Sequence, residues 1–371
     1  MRRWLLPEHI EDVLPAEARA IERLRRAILD LFETHGYELV APPLLEYVES
    51  LLSGTGRDLD LATFKLVDQL SGRMMGVRAD HTPQVARIDA HLLNRQGVAR
   101  LCYCGSVLHT MPAGMTKMRE PIQIGAELYG HAGLEADVEI VRLMIEALQR
   151  VGIERLHVDL GNPAIYRSML AGLEADAEEL FHAVQQKDAV GAGPLAVLTT
   201  LNGGAEVLAR ARKELPAEAQ PHLAALESLA RKCAAPGVEI SFDLAELGGF
   251  NYESGLVFAA FAPGSPDAIA RGGRYDEVGK SFGRARAATG FTMDLRQLAG
   301  LVKTEPEKGR ILAPHSEDAT LQEMIRRLRA QGEVVVVALP GHDAAELGCT
   351  RRLVMEGGRW AVTNSGADQK R

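Results

Sequence analysis

The chain has 371 residues, 46% of them hydrophobic, and a formal net charge of −8, which suits one large core plus one or two smaller pieces. The acidic balance gives no overall pull toward nucleic acid or anionic membrane. The opening run MRRWLLPEHIEDVLP is broken by Pro7, Glu8, Glu11 and Asp12, so it does not read as a signal peptide. No apolar run is long enough to span a bilayer, and a cytoplasmic protein is expected.

From 15 to 35 the apolar positions Ile21, Leu24, Ile28, Leu31 and Phe32 recur at helical spacing, and Gly36 stands where a left-handed cap belongs. A strand over 37–40 follows, stopped by Pro42 and Pro43, and then a predicted helix over 44–52 that closes at Gly54 and Gly56. FKLVDQ and RMMGVRA read as a hairpin turned at Ser71-Gly72. The second strand ends in Arg78, Asp80 and Thr82, ahead of a helix with Val85, Ile88 and Leu92 on one side. Asp80 or Thr82 is there either as an N-cap or, as a carboxylate and a hydroxyl at a strand end, to hold an ammonium group.

Residues 100–130 centre the chain. Strands RLCYCGSVL and PIQIGAELYG flank the loop HTMPAGMTKMRE, and the second alternates. Ile122, Ile124, Ala126 and Leu128 fall on one face, and Gln123, Gly125, Glu127 and Tyr129 on the other. Gln123 and Glu127 point the same way across Gly125, whose missing side chain leaves backbone open, an arrangement that suits a small cation-bearing ligand. The alternative is a hairpin whose polar face meets water. Cys102 and Cys104 share one strand face, Cys233 and Cys349 are remote, and the eleven histidines show no metal-ligand spacing. Reduced, packed thiols are expected, with no metal site and no cofactor.

A helix over 135–151 and the strand RLHVDLG come next. An Ala/Leu/Glu-rich helical insertion (163–235) follows, with one doubtful strand near Leu195 and breaks at Gly203-Gly204 and Pro216. Strands resume with GVEISFDL and GFNYESGLVFAAF. RGGRYDEV is either a loop whose paired glycines admit an anion to Arg271 and Arg274, or a tight turn with exposed arginines. ARAATGFTMDLRQLAGL reads as a strand running into a helix. Behind the charged joint KTEPEKG, a short α/β module is predicted, with strands in RILAP, EVVVVAL and RWAVTN and helices over 316–330 and 343–355. No Walker loop, GxGxxG, GxSxG or zincin motif is present.

Six runs in order resemble catalytic-domain motifs of histidyl-tRNA synthetases along residues 1–302: RADHT (78–82), RLCYCGSVLHT, QIGAE (123–127), GGFNYESGLVF, RGGRYD (271–276) and GFTMDL. The resemblance implies an α+β fold, a class II aminoacyl-tRNA synthetase-like antiparallel sheet flanked by helices. It would occupy 1–305, with the helical insertion inside it and a small α/β module over 306–371, and would dimerise through its first motif, here Gly36 to Tyr47. It also implies a pocket for a histidine-like ligand. Asp80, Thr82, Gln123, Glu127 and Tyr252 match residues that contact or border the amino group and imidazole of bound histidine, with Asp80 replacing a glutamate and Glu253 a tyrosine.

Three departures from the family pattern remove positive charge. His109 stands where the synthetases have the arginine for the ATP α-phosphate and the amino-acid carboxylate, and Met111 where they have an acid. Gly248 replaces their histidine-specific arginine, and Gln297 their ATP-clamping arginine, unless Arg296 serves by a one-residue slip. Adenylation builds charge on a pentavalent phosphate, and each lost cationic donor costs about 3 kcal/mol. Such a body, with a short C-terminal piece, is similar to the regulatory subunits of short-form ATP phosphoribosyltransferases. That likeness implies a non-catalytic, cytoplasmic partner of a small catalytic subunit in the first step of histidine biosynthesis, with histidine biasing the assembly and no tRNA role. The competing expectation is a histidine-activating enzyme or tRNA ligase that uses Arg271, Arg274 and Arg296.

Overall fold

The apolar stripe of Ile21, Leu24, Ile28 and Phe32 is buried on one side of the helix Pro15–Thr34, which starts on proline and ends before Gly36 at φ +81°. The computed structural model describes residues 5–53, 57–112, 118–170, 173, 177–246, 254–303, 309–340 and 347–364. They fall into two compact units, Met1–Lys303 and Thr304–Arg371.

The first unit holds β1 (Glu38–Leu39), β2 (Leu45–Tyr47), β3 (Lys65–Val67), β4 (Met74–Val77), β5 (Ala99–Ser106), β6 (Ile122–Tyr129), β7 (Leu156–Gly161), β8 (Asn202–Gly203), β9 (Val238–Asp243), β10 (Val257–Phe261), β11 (Ala270–Arg274) and β12 (Ala288–Asp294). Nine of these form one sheet in the order β1-β5-β6-β12-β11-β10-β7-β9-β8. It is antiparallel from β5 through β7, with parallel pairings at β1–β5 and β7–β9. β2, β4 and β3 make a small antiparallel sheet.

Period-two alternation gives the large sheet two different faces. Ile124, Ala126, Leu128, Val158, Leu160, Phe258, Ala260, Phe291 and Met293 form one core with the first helix, the helix Leu134–Arg150 and the insertion helices. Part of the opposite face is covered as well. The helix Thr82–Arg87 lies over part of it, and Val85 and Ala86 join Leu101, Tyr103, Tyr129 and Tyr275 in a second buried cluster. That helix continues into a π-helical turn, Ile88–Leu93. The extra residue per turn moves Leu92 off the expected apolar side, leaving it 62% exposed, and turns Asp89 inward against Arg286 at 2.7 Å.

Several expected elements differ. Residues 45–47 form β2 rather than the start of a helix, because they find a partner in β4 and Glu46 accepts a hydrogen bond from Gln84 at 2.8 Å; the helix is reduced to Val48–Leu51. Leu195 ends a single 3-10 turn, and the insertion's strand is β8, added to the edge beside β9. RGGR is neither a loop nor a turn but β11, in the middle of the sheet. Gly272 is required there because the Gly290 carbonyl and the Phe258 ring occupy the space of a Cβ.

The second unit holds β13 (Arg310–Ala313), β14 (Val335–Val337), β15 (Cys349–Glu356) and β16 (Arg359–Asn364) in the order β14-β13-β15-β16, with the helix Ala319–Ala330 packed on one face through Leu321, Ile325 and Leu328. The predicted helix over 343–355 is replaced from residue 349 by β15, which pairs with β16 across Gly357-Gly358, both at positive φ. Residues 341–346 lie outside the described residues.

Candidate functional site

The polar face of β6 carries the site because its register sets Glu127 among hydroxyls from three directions. Leu101 of β5 pairs with Glu127 on one side and Gly290 of β12 on the other. A side chain at Gly290 would overlap the Glu127 carboxylate, so the glycine is what lets the acid lie across β12. Glu127 Oε1 accepts from Thr82 Oγ1 and from Tyr103 Oη, both at 3.2 Å, and Oε2 accepts from Tyr275 Oη. Tyr275 Oη also lies 3.2 Å from Tyr129 Oη. With 1% exposure, Glu127 is pushed up to about 8, first by burial and further by the Asp80 carboxylate, while the three hydroxyls oppose the rise. Burial thus favours the protonated form of Glu127, and a cation beside it, or an imidazole N–H that it can accept from, favours its ionisation.

Asp80 and Thr82 stand at the end of β4, where the helix Thr82–Arg87 begins. Asp80 Oδ1 accepts the Thr82 backbone N–H at 3.4 Å, but the N-cap position is His81 and carries no side-chain cap, so neither Asp80 nor Thr82 is the N-cap, and the Thr82 hydroxyl reaches across to Glu127. Burial raises the Asp80 carboxyl; the backbone N–H groups of Thr82 and His81, the Gln123 side chain and His109 pull it back. Gln123 Oε1 accepts from the His81 backbone at 3.2 Å and lies 2.9 Å from His81 Nδ1. His81 is buried flat against Tyr103, ring centroids 4.6 Å apart, and burial lowers it to about 4. It is a neutral strut that fixes Gln123, not a titrating group at pH 7.

Two adjoining cavities follow from this arrangement. One, of about 230 Å³, is bordered by Asp80, Thr82, Glu127, Glu246, Arg271 and Tyr275. The other, of about 120 Å³, is bordered by His109, Gln123, Asp294 and Gln297, and the two share Arg271 and Thr292. The structure thus brings together Asp80, Thr82 and Glu127, and sets Gln123 next door with its oxygen engaged by His81. Tyr252, Gly248 and Glu253 lie outside the described residues.

The expected cations part company. Arg271 points to the cavities. Arg274, expected beside it as an anion contact, is 7% exposed and binds Asp137 through Nε and Nη2 at 2.9–3.3 Å, plus the carbonyls of His131 and Gly133. Strand alternation turns the two to different surroundings. Arg296 cannot supply the one-residue slip, since its guanidinium donates to the carbonyls of Glu120 and Glu11. Gln297 donates to Ser265 Oγ and the Ala268 carbonyl, and His109 Nε2 lies 2.9 Å from the Ala79 carbonyl oxygen. Reading RGGRYD for its arginines and glycines missed Tyr275, whose hydroxyl donates to Glu127 Oε2. Tyr103 was legible only as the partner of Gly125, where a Cβ would overlap its ring and hydroxyl.

The family model described as Histidyl-tRNA synthetase matches residues 9–298, and the one described as ATP phosphoribosyltransferase subunit HisZ C-terminal domain matches residues 308–363. A crystal structure of an ATP phosphoribosyltransferase regulatory subunit/histidyl-tRNA synthetase from Bacillus halodurans C is similar at TM-score 0.80 and 28% identity, over 93% of this chain and 96% of that one. A histidyl-tRNA synthetase from Nostoc sp. shares the fold at TM-score 0.78 and 17% identity, over 98% and 94%. The fold and the matching family model define a class II protein of the histidyl-tRNA synthetase type. Curated proteins named ATP phosphoribosyltransferase regulatory subunit, from Ralstonia nicotianae and Methylobacillus flagellatus, are 55% and 53% identical over 98% of this chain and 98% of their own lengths. The chain belongs to the family of ATP phosphoribosyltransferase regulatory subunits.

Proposed function

We propose that this chain is the non-catalytic regulatory subunit of an ATP phosphoribosyltransferase. In this reading it works in the cytoplasm beside a short catalytic subunit that joins ATP to phosphoribosyl pyrophosphate, the first step of histidine biosynthesis. It holds that subunit in a competent assembly. Histidine, taken up in the cavity over Glu127, biases the assembly by binding one state more tightly than another. The chain dimerises through the segment from Gly36 to Tyr47, where Leu39, Leu44 and Leu45 are exposed, and tRNA is not a partner.

One observation carries the reading: a carboxylate and hydroxyl cradle stands in a surround that keeps, among the described residues, a single lysine or arginine, Arg271. Glu127, Asp80, Thr82 and Tyr275 border one cavity, whereas His109 and Gln297 occupy expected arginine positions and Arg274 and Arg296 are engaged elsewhere. Such a site can hold an amino group and an imidazole but has little to stabilise a charged phosphoryl intermediate. The names carried by relatives across their full length support the same assignment.

Reconstitution tests it. The purified chain mixed with a short catalytic subunit should form phosphoribosyl-ATP, neither chain alone should do so, and histidine should inhibit the mixture. Histidine-dependent exchange of pyrophosphate into ATP by this chain alone would overturn the non-catalytic reading.

A further inference from the structure

Among the described residues bordering the two cavities, Arg271 is the sole lysine or arginine, and it borders both. It is the exposed residue of a strand otherwise buried or half-buried. Its cross-strand neighbours are Ala259 and Thr292, both small, so the guanidinium has room to move over the sheet. Most arginines around the site are already committed: Arg78 to the carbonyls of Ser106 and Pro42, Arg119 to that of His109, Arg274 to Asp137, Arg286 to Asp89, Arg296 to the carbonyls of Glu120 and Glu11. Arg271 makes no hydrogen bond or ion pair with any described residue.

We infer that Arg271 is the carboxylate anchor of this pocket. The site takes a free α-amino acid as a zwitterion, its amino group and ring toward Asp80, Thr82 and Glu127 and its carboxylate on the Arg271 guanidinium. The inference rests on the reading of the pocket as a histidine-like site and names what grips the other end of the ligand. Arg271 pairs with Thr292, which pairs with Gly125. Two strand spacings therefore separate Arg271 from Gly125, about 10 Å between Cα atoms, with Glu127 one pleat further along the same face. After the arginine side chain has reached inward, the gap that remains suits a molecule the length of an amino acid. A guanidinium meets a carboxylate with two parallel hydrogen bonds, which fixes orientation as well as charge. A single cation among Asp80, Glu127 and Glu246 balances one carboxylate and is too little for a polyphosphate, so the same residue that admits histidine leaves ATP disfavoured.

Calorimetry on the full chain with two probes decides it: histidine, and histamine, which has the amine and imidazole but no carboxylate. Histidine should bind wild type more tightly than histamine. Arg271→Met should weaken histidine at least tenfold while histamine changes less than twofold, and Arg271→Lys should recover part of the histidine affinity. Circular dichroism and melting of both variants establish that they fold. Folded Arg271→Met that binds histidine as wild type does, or that loses histidine and histamine equally, overturns the anchor and leaves the pocket reading standing. Wild type that binds neither probe overturns the pocket reading and the anchor with it.

Discussion

Gly290 faces Glu127 across the β6–β12 register, and the carboxylate of Glu127 fills the space that a side chain on Gly290 would need. The acid at the centre of the pocket is thus held by an absent side chain on one flank and by hydroxyls of Thr82, Tyr103 and Tyr275 on the others.

Gly290→Ala should therefore damage both fold and pocket. The methyl must displace Glu127 or shift β12, and overpacking of this kind costs about 1–3 kcal/mol. Thermal melting should show the loss of stability, and titration with histidine should show binding weakened along with it. Unchanged melting and unchanged binding would mean that Glu127 does not lie across β12.

Glu127 should make stability fall as pH rises. Its carboxyl is raised from 4.5 to about 8 in the folded chain, so between those values the folded state holds a proton that the unfolded state has released. The stabilisation linked to that proton is complete below about pH 4.5 and is lost as pH climbs through 8. Glu127→Gln keeps an uncharged group in place and removes this share. Urea unfolding at pH 6 and pH 8.5 should show a smaller decline for the variant than for wild type.

Tyr275→Phe removes the donor to Glu127 Oε2 and leaves the ring to pack against Tyr129, whose ring lies edge-on to it at 6.3 Å. Once a bound histidine cation has ionised Glu127, a hydrogen bond to its charged carboxylate contributes about 1.5–3 kcal/mol. Histidine affinity measured by calorimetry should fall roughly ten- to a hundredfold by the same reckoning. An undiminished affinity would remove Tyr275 from the site.

Arg274→Met should act on stability in the first place. It leaves Asp137 buried without its partner, and breaking a buried pair from one side costs about 3–5 kcal/mol. Adding Asp137→Leu should recover part of the loss in urea unfolding. A lone Arg274→Met that unfolds at the wild-type midpoint would show the ion pair to be dispensable.

Much of this was legible from local spacing. The stripe of the first helix, the β3–β4 hairpin and the alternation of β6 are periodic over a few residues, and each is present. The misreadings fall where a distant partner overrules the local pattern. β2 forms because β4 offers it an edge, and β15 because β16 returns across Gly357-Gly358. Arg271 and Arg274, three residues apart in one motif, differ because β11 is a strand inside the sheet rather than a loop.

By itself the sequence determined which acids, hydroxyls and amides stand in a family-like order, and that His109 and Gln297 are not arginines, since residue type and spacing are properties of the chain alone. Only the tertiary structure decided which charges remain free. Whether Arg274 or Arg296 can meet a ligand depends on Asp137, Glu120 and Glu11, all more than 130 residues away in the chain. Whether Glu127 holds its proton depends on Asp80 and on burial under a helix that begins at Thr82. Charge interactions are set by separation and solvent access, and both exist only once the sheet has assembled.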